Sequence, residues 1–312
     1  MCGIAGVMHR DKSSTVGSEM TNMLKAMKHR GPDSTGFALY KKSMEENNYV
    51  MRFKVAEGSE AEKGFNIQKI MQDRILKVNE RLKELGISTN SMSQDTVYAC
   101  RYEFNFDGSL RELANYVEDL DGVEILSIGK GLELIKDLGD ADQVSETYAL
   151  RAFSGTHAIG HTRMATESDV DIRSAHPYWA YPFSDVSVVH NGQLTNYWTK
   201  RRGLERKGHR FMSDCDSELV AVYIADAIDQ GKSLEQSMNE SLYELDGVFT
   251  YLIATSDQLG MAKDTMAAKP MVLYESKEII VLASEEVAIR TILEGEIETS
   301  DPYDGEVRVW QA

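Results

Sequence analysis

Apolar residues in this chain recur every third or fourth position in some stretches and run together or alternate in others. That change of period predicts its elements. GIAGVM at 3–8 is an unbroken apolar run and predicts a short buried strand. Met20, Met23, Leu24 and Met27 then fall at i, i+3, i+4 and i+7 behind Ser18, predicting a helix over 18–28 with Ser18 as its N-cap. A methionine stripe of this kind packs a core. HRGPDSTGFALY at 29–40 reads as a Gly/Pro turn feeding a strand. Further on, Ile67, Met71, Ile75, Val78, Leu82 and Leu85 mark a long amphipathic helix closed by Gly86. A polar loop at 88–95 precedes a predicted strand 97–106, helix 109–119, strand 123–128 and helix 131–138. From 156 onward the pattern gives strands at 157–166 and 185–196 and helices at 216–229 and 233–245. Strand-like runs GVFTYLIATS, KPMVLYES and EIIVLAS follow, then a short helix at 285–293 and a last strand, EVRVW, at 306–310.

Residues 41–152 differ in character from the rest. They open on Asn-, Glu- and Lys-rich sequence and then alternate strand with helix, which predicts a small inserted α/β subdomain with its own apolar faces. Elsewhere strands bunch around paired helices without regular βαβ alternation, so the expected class is α+β. A chain of 312 residues can hold one large domain or two ordinary ones. Its 42% hydrophobic and 27% charged residues are those of a soluble globular protein with a real core. A net charge of −16 argues against a nucleic-acid or anionic-membrane surface. Cys2, Cys100 and Cys215 lie far apart with no CxxC spacing, offering neither a disulfide framework nor a zinc site. That usage fits a reducing cytoplasm. No basic stretch followed by an apolar core suggests a signal peptide, and no apolar run approaches the ~20 residues of a membrane span.

Cys2 is the most informative single residue. Removal of Met1 leaves a residue carrying both a thiol, titrating near ~8.5, and an α-amine near ~7.7–8.0, so the amine is a built-in base. An N-terminal nucleophile paired with its own amine is one way to activate a weak nucleophile. Cys2 also reads simply as a small hydrophobe leading into a buried strand. Four other segments carry polar groups of interest: HRGPDSTG at 29–36, GHTRMAT at 160–166, HNGQLTN at 190–196 and DCDSE at 214–218. Each has an ordinary reading. Arg163 suits a salt bridge, Asp216 a helix N-cap, and Asn191-Gly192 a hairpin turn. His161, His176 and His190 lack a metal-ligand spacing and read as buried structural histidines, so no metal is expected. Cys100 and Cys215 read as inert core thiols.

Taken together and in this order, MCGI and the four segments resemble the class II glutamine amidotransferases, N-terminal-nucleophile hydrolases that release ammonia from glutamine. The resemblance covers the start of the chain and most of 153–312. It implies a four-layer αββα sandwich of mostly antiparallel sheets, with a core of 2–40 and 153–312 and the insertion at 41–152. It also implies that Cys2 attacks the γ-amide of L-glutamine, forming a thioester that loses ammonia and is hydrolysed to glutamate, with the α-amine moving protons. The Asn191 side chain and the Gly192 N–H would hold the oxyanion. Arg163 would fork the α-carboxylate, Thr166 would add a hydroxyl, and Asp216 would accept from the α-ammonium, with Asp214 and Glu218 as adjacent alternatives. Arg30 and Gly31 would shape the glutamine pocket. Glu167-Ser168 stand where many relatives have His-Gly, which alters the expected pocket rim.

The chain lacks a GxxxxGK[ST] phosphate loop, so ammonia is expected to pass to a synthase partner on another chain. The likeness is to free-standing subunits related to the first domain of glutamate synthase and to N-methylglutamate synthase. Flavin and iron–sulfur centres would lie in partner subunits and no cofactor in this chain. The insertion is expected either as a docking surface or as an elaboration packed on its own core. Three other functions compete. A stand-alone Ntn amidase for another amide would not need Arg163 and Asp216. A silent regulatory homologue would lack a processed terminus, and an amidotransferase feeding a different acceptor would need a different partner.

Overall fold

The run at 3–8 is apolar at every position because the strand it forms is covered on both faces. In the computed structural model, which describes residues 2–42, 47–61, 65–164 and 171–312, Gly3–His9 is a fully buried strand. Its side chains alternate between two cores, as the two-residue period of a strand requires. Ile4 and Met8 face one cluster, Ala5 and Val7 the other.

Gly3–His9 sits inside a six-stranded sheet. The order is Val272–Glu275, Ile279–Ala283, Gly3–His9, His157–Arg163, Ser34–Tyr40 and Leu132–Leu138, each antiparallel to its neighbour. A second, five-stranded sheet runs Val307–Gln311, Gln258–Lys263, Gly247–Ala254, Ser187–Leu194 and Tyr178–Trp179, again antiparallel. Ile4, Ala38, Tyr40 and Ile159 of the first sheet meet Val189, Leu252, Leu259 and Met261 of the second in one cluster. The helix Val16–Ala26 covers the first sheet, packing Met20, Met23 and Leu24 on Val7, Phe37 and Leu39. Helices Asp216–Asp229 and Leu234–Glu244 cover the second through Leu219, Val222 and Met238. Helix, sheet, sheet and helix therefore stack in four layers. Each fully buried Leu, Met or Phe stabilises this stack by about 1.5–3 kcal/mol relative to exposure.

The middle of the chain builds a third, four-stranded antiparallel sheet: Thr89–Gln94, Ala99–Asn105, Asn48–Lys54 and Glu124–Gly129. The helices Phe65–Glu84 and Leu110–Glu118 pack on it through Val78, Leu82, Leu113 and Val117. Those residues join the same cluster that fills the space between the two main sheets, so this unit has no separate core.

Several expected elements are corrected. The first helix begins at Val16 with Thr15 as N-cap, two residues earlier than Ser18 suggested, and Thr15 makes no side-chain cap bond. Residues 88–95 are not a loop: Thr89–Gln94 is an edge strand whose side chains are nearly all exposed. Residues 131–138 are not a helix. Leu132–Leu138 pairs along its whole length with Ser34–Tyr40 and so belongs to the six-stranded sheet. Tertiary pairing there outweighs the helical propensity of Leu, Glu and Lys. Several elements had no expectation, among them the strands Asn48–Lys54 and Gln258–Lys263 and the helices Ala141–Thr147 and Tyr197–Arg206.

Glu118, at the end of Leu110–Glu118, accepts the Ile125 N–H at 2.7 Å in a buried setting that pushes its carboxyl up to about 8. Its folded form thus holds a proton more tightly than the unfolded chain does. The associated stability is full below the unfolded value near ~4.3 and is lost as pH rises through about 8. Glu118→Gln keeps an acceptor oxygen without the charge. It is expected to match the parent at pH 4 and to exceed it by about 2–3 kcal/mol at pH 7.5. Urea unfolding at the two pH values checks this; a variant no more stable at pH 7.5 contradicts it.

Candidate active site

The strand order delivers three polar segments to one place. Gly3 pairs with Thr162, so Arg163 and Met164, at the end of His157–Arg163, emerge beside Cys2. The Met164 N–H donates to Cys2 Sγ at 3.4 Å. The Cys2 carbonyl accepts two side-chain hydrogen bonds. Arg30 Nε donates to it at 3.0 Å from the 3₁₀ turn Lys28–Arg30, and Asn191 Nδ2 donates at 3.0 Å from Ser187–Leu194. The main chain of the nucleophile is therefore clamped while its sulfur stays accessible.

Arg30 in turn donates Nη1 to Glu285 at 2.5 Å, and His29 lies 3.0 Å from the same carboxylate. Burial alone would raise Glu285, but hydrogen bonds from Arg30 and His29 outweigh it and hold the carboxyl below its usual range. Sequence reasoning missed Glu285 because it lies 255 residues from Arg30.

Two glycines have steric reasons. Gly192 has φ of +149°, and a Cβ there would lie 2.1 Å from the Val248 carbonyl oxygen. At Gly31 a Cβ would lie 2.4 Å from the Arg163 carbonyl carbon, so the turn can press against that strand only as glycine.

Asp216 opens the helix Asp216–Asp229, but its N-cap is Cys215, which makes no side-chain cap bond. The capping alternative for Asp216 is thus not what forms. Its Oδ2 instead accepts the Leu194 N–H at 2.9 Å, tying the helix start to the end of the Asn191 strand. Glu218 turns away and is buried, accepting from Met212 and Ser213 N–H at 2.6 and 2.7 Å. Asp214 pairs with Arg201 at 2.8 Å.

Cys2, Arg163, Asn191, Gly192 and Asp216 all line one cavity of about 750 Å³. Arg30 lines a smaller one of about 340 Å³ that meets the first at Cys2. Gly31 lines neither and acts through Arg163. Thr166, with Glu167 and Ser168, lies outside the described residues. The cavity floor holds His161, His176 and His190. His161 and His176 stack at 4.1 Å, and His190 Nδ1 lies 2.8 Å from Ser217 Oγ. Burial pushes His161 down to about 3 and His176 and His190 below their usual range, so the floor is uncharged at neutral pH. Among the described residues no group of His, Cys, Asp and Glu is arranged to hold a metal ion. Cys100 is buried with its thiol pushed up to about 12, whereas Cys215 reaches the cavity wall beside Asp216. Trp198, about half exposed at the cavity rim, gave no sequence signal.

No helix of the described residues is long and apolar enough to cross a membrane. A family model described as a glutamine amidotransferase domain matches residues 161–291. A protein of Methanothermobacter thermautotrophicus assigned to the glutamine amidotransferases is 39% identical over 316 residues, covering all of both chains. The glutamine amidotransferase-like protein GlxB of Rhizobium meliloti is 31% identical over 288 residues, 91% of this chain and 89% of that one. In fold, the chain is similar to glutamine phosphoribosylpyrophosphate amidotransferase from B. subtilis, with a TM-score of 0.60 and 17% identity over 99% of this chain and 47% of that one. Sequence likeness along its whole length shows the family: the chain belongs to the glutamine amidotransferases.

Proposed function

We propose that Cys2, once Met1 is removed, hydrolyses L-glutamine in the 750 Å³ cavity and that the ammonia passes to a synthase partner of glutamate-synthase-like type. The observation that carries the reading is the convergence of Cys2, Arg163, Asn191, Gly192 and Asp216 on one cavity. Glutamine presents a carboxylate, an ammonium and an amide, and this lining offers a guanidinium, a carboxylate and a nucleophile. An amidase for a simple amide has no use for the first two.

The Cys2 α-amine takes the thiol proton, and the thiolate adds to the γ-carbonyl carbon. Negative charge builds on the carbonyl oxygen, where Asn191 and the Gly192 N–H stabilise it. The carbon–nitrogen bond breaks as the amine returns a proton, releasing ammonia and leaving a thioester. Water, deprotonated by the same amine, then displaces the sulfur, and glutamate departs. Arg163 and Asp216 grip the α-carboxylate and α-ammonium, Thr166 adds a hydroxyl, and Arg30 and Gly31 hold Cys2 and Arg163 in place.

The partner is where flavin and iron–sulfur centres would reside, with the whole assembly in the cytoplasm. Three cysteines far apart, without a disulfide framework, support that setting. A pull-down with the synthase subunits, followed by transfer of amide nitrogen from labelled glutamine to the partner's product, tests the partner reading. Labelled ammonia escaping to solvent in the assembled complex would reject it.

Asp216→Asn tests the substrate. Loss of one charge-assisted contact, about 1.5–3 kcal/mol, is expected to raise KM for glutamine about 10- to 100-fold with kcat little changed. An unaltered KM would remove Asp216 from the ammonium site.

A further inference from the structure

The part of the cavity lining that carries Ser174 and His176 is held by residues of the four-stranded unit and by Lys136 of the six-stranded sheet. Residues 171–176 run past the four-stranded unit, and charged side chains fasten them there. Ile172 donates its N–H to Glu57 Oε2 at 3.1 Å. Arg173 Nε donates to Glu124 Oε2 at 3.0 Å. Lys136, buried beneath, donates Nζ to the carbonyls of Arg173 and Ala175 at 3.1 and 2.9 Å. Lys54 joins the two carboxylates, pairing with Glu57 and lying 3.2 Å from Glu124.

On the opposite side the segment has no slack. A Cβ on Gly36 would lie 2.0 Å from the His176 carbonyl oxygen, so the Ser34–Tyr40 strand already presses on it. Any shift of the segment on its Glu57–Glu124 side therefore moves Ser174 and His176. His176 Nδ1 meets the His190 N–H at 3.4 Å, so the shift is passed to the strand that carries Asn191. Buried ion pairs add little net stability compared with apolar packing. What Lys54, Glu57 and Glu124 provide is a defined position for the segment they hold.

We propose that Glu57 and Glu124 are positioning residues for glutamine, so that the inserted four-stranded unit sets the affinity of the cavity through residues 171–176. This rests on the glutamine reading of the cavity. It gives the insertion a role in substrate binding, distinct from docking a partner or from packing on itself.

Glu57→Ala and Arg173→Ala each remove one end of a contact while leaving the buried Glu124 paired with Lys54. Loss of a single such hydrogen bond is expected to raise KM for glutamine about three- to tenfold. The glutamine concentration that half-protects Cys2 from iodoacetamide should rise in parallel. The kcat should stay within about twofold, the unprotected alkylation rate should not move, and Glu57→Asp should recover part of the affinity. A KM unchanged in both folded variants overturns the proposal. So does a common fall in kcat and alkylation rate, which would mark loosening at Cys2 itself. If the parent protein releases no glutamate and glutamine gives no protection, the glutamine reading has failed and takes this proposal with it.

Discussion

Cys2→Ala is expected to abolish glutamate release, with a loss on the order of 10⁴- to 10⁶-fold, as when other enzymes lose their nucleophile. Among the described residues no other group lining the cavity can replace the lost sulfur. Cys215 shares the wall, but burial first, and Asp216 beside it, raise its thiol pKa and keep it protonated. The neutral histidines offer no covalent route with a leaving group matched to a thioester. The fold should survive, because Cys2 is held mainly through its carbonyl, by Arg30 and Asn191, and those contacts do not involve the side chain. Circular dichroism and thermal unfolding of the variant should therefore match the parent. Intact mass belongs with this experiment, since the mechanism needs the amine of Cys2 itself. A protein that keeps Met1 yet turns over glutamine at the parent rate would refute the built-in base, and residual turnover in Cys2→Ala above about one per cent would refute the nucleophile.

The polar members of the candidate site were legible only through five short motifs in one order, because each residue alone has an ordinary structural reading. Cys2 stands out by position alone, Arg163 ends the strand His157–Arg163, and Asn191 lies inside Ser187–Leu194, both strands whose apolar runs were plain in the sequence. Asp216 was legible as a ligand or a cap, and the choice between them needed the Leu194 N–H, which only the folded chain brings to it. The contact between Arg30 and Glu285 joins residues 255 apart, a distance that no spacing rule spans. The central strands were readable because burial on both faces leaves an unbroken apolar run. LELIKDL at 132–138 was misread because its apolar residues satisfy a helical period as well as a strand one, and only pairing with Ser34–Tyr40 decides between them. TNSMSQ at 89–94 has a single apolar residue, Met92, and so no hydrophobic period. It is a strand because Ala99–Asn105 offers a free edge. The insertion's contacts to residues 171–176 were hidden for the same reason as Glu285: they are long-range and polar.

Asn191→Ala is expected to lower kcat about 10²- to 10³-fold, the ~2.7–4 kcal/mol that one oxyanion donor supplies, while KM for glutamine changes little. In the resting structure Asn191 Nδ2 spends its hydrogen bond on the Cys2 carbonyl, which places the amide within reach of any carbon bonded to the neighbouring sulfur. A neutral substrate carbonyl gains little from that donor and a developing oxyanion gains much, so the loss belongs to the transition state. Arg30 still holds the Cys2 carbonyl in the variant, so alkylation of Cys2 by iodoacetamide should continue at the parent rate. Gly192→Ala separates the electrostatic role from the steric one. Its new methyl group would collide with the Val248 carbonyl oxygen and disturb the pairing of Gly192 with Phe249, so stability and activity should fall together. If Asn191→Ala instead loses stability and alkylation rate along with kcat, the residue anchors the terminus of the chain and the oxyanion is held by other donors. A kcat reduced less than tenfold in a folded protein with intact alkylation would remove Asn191 from the reaction.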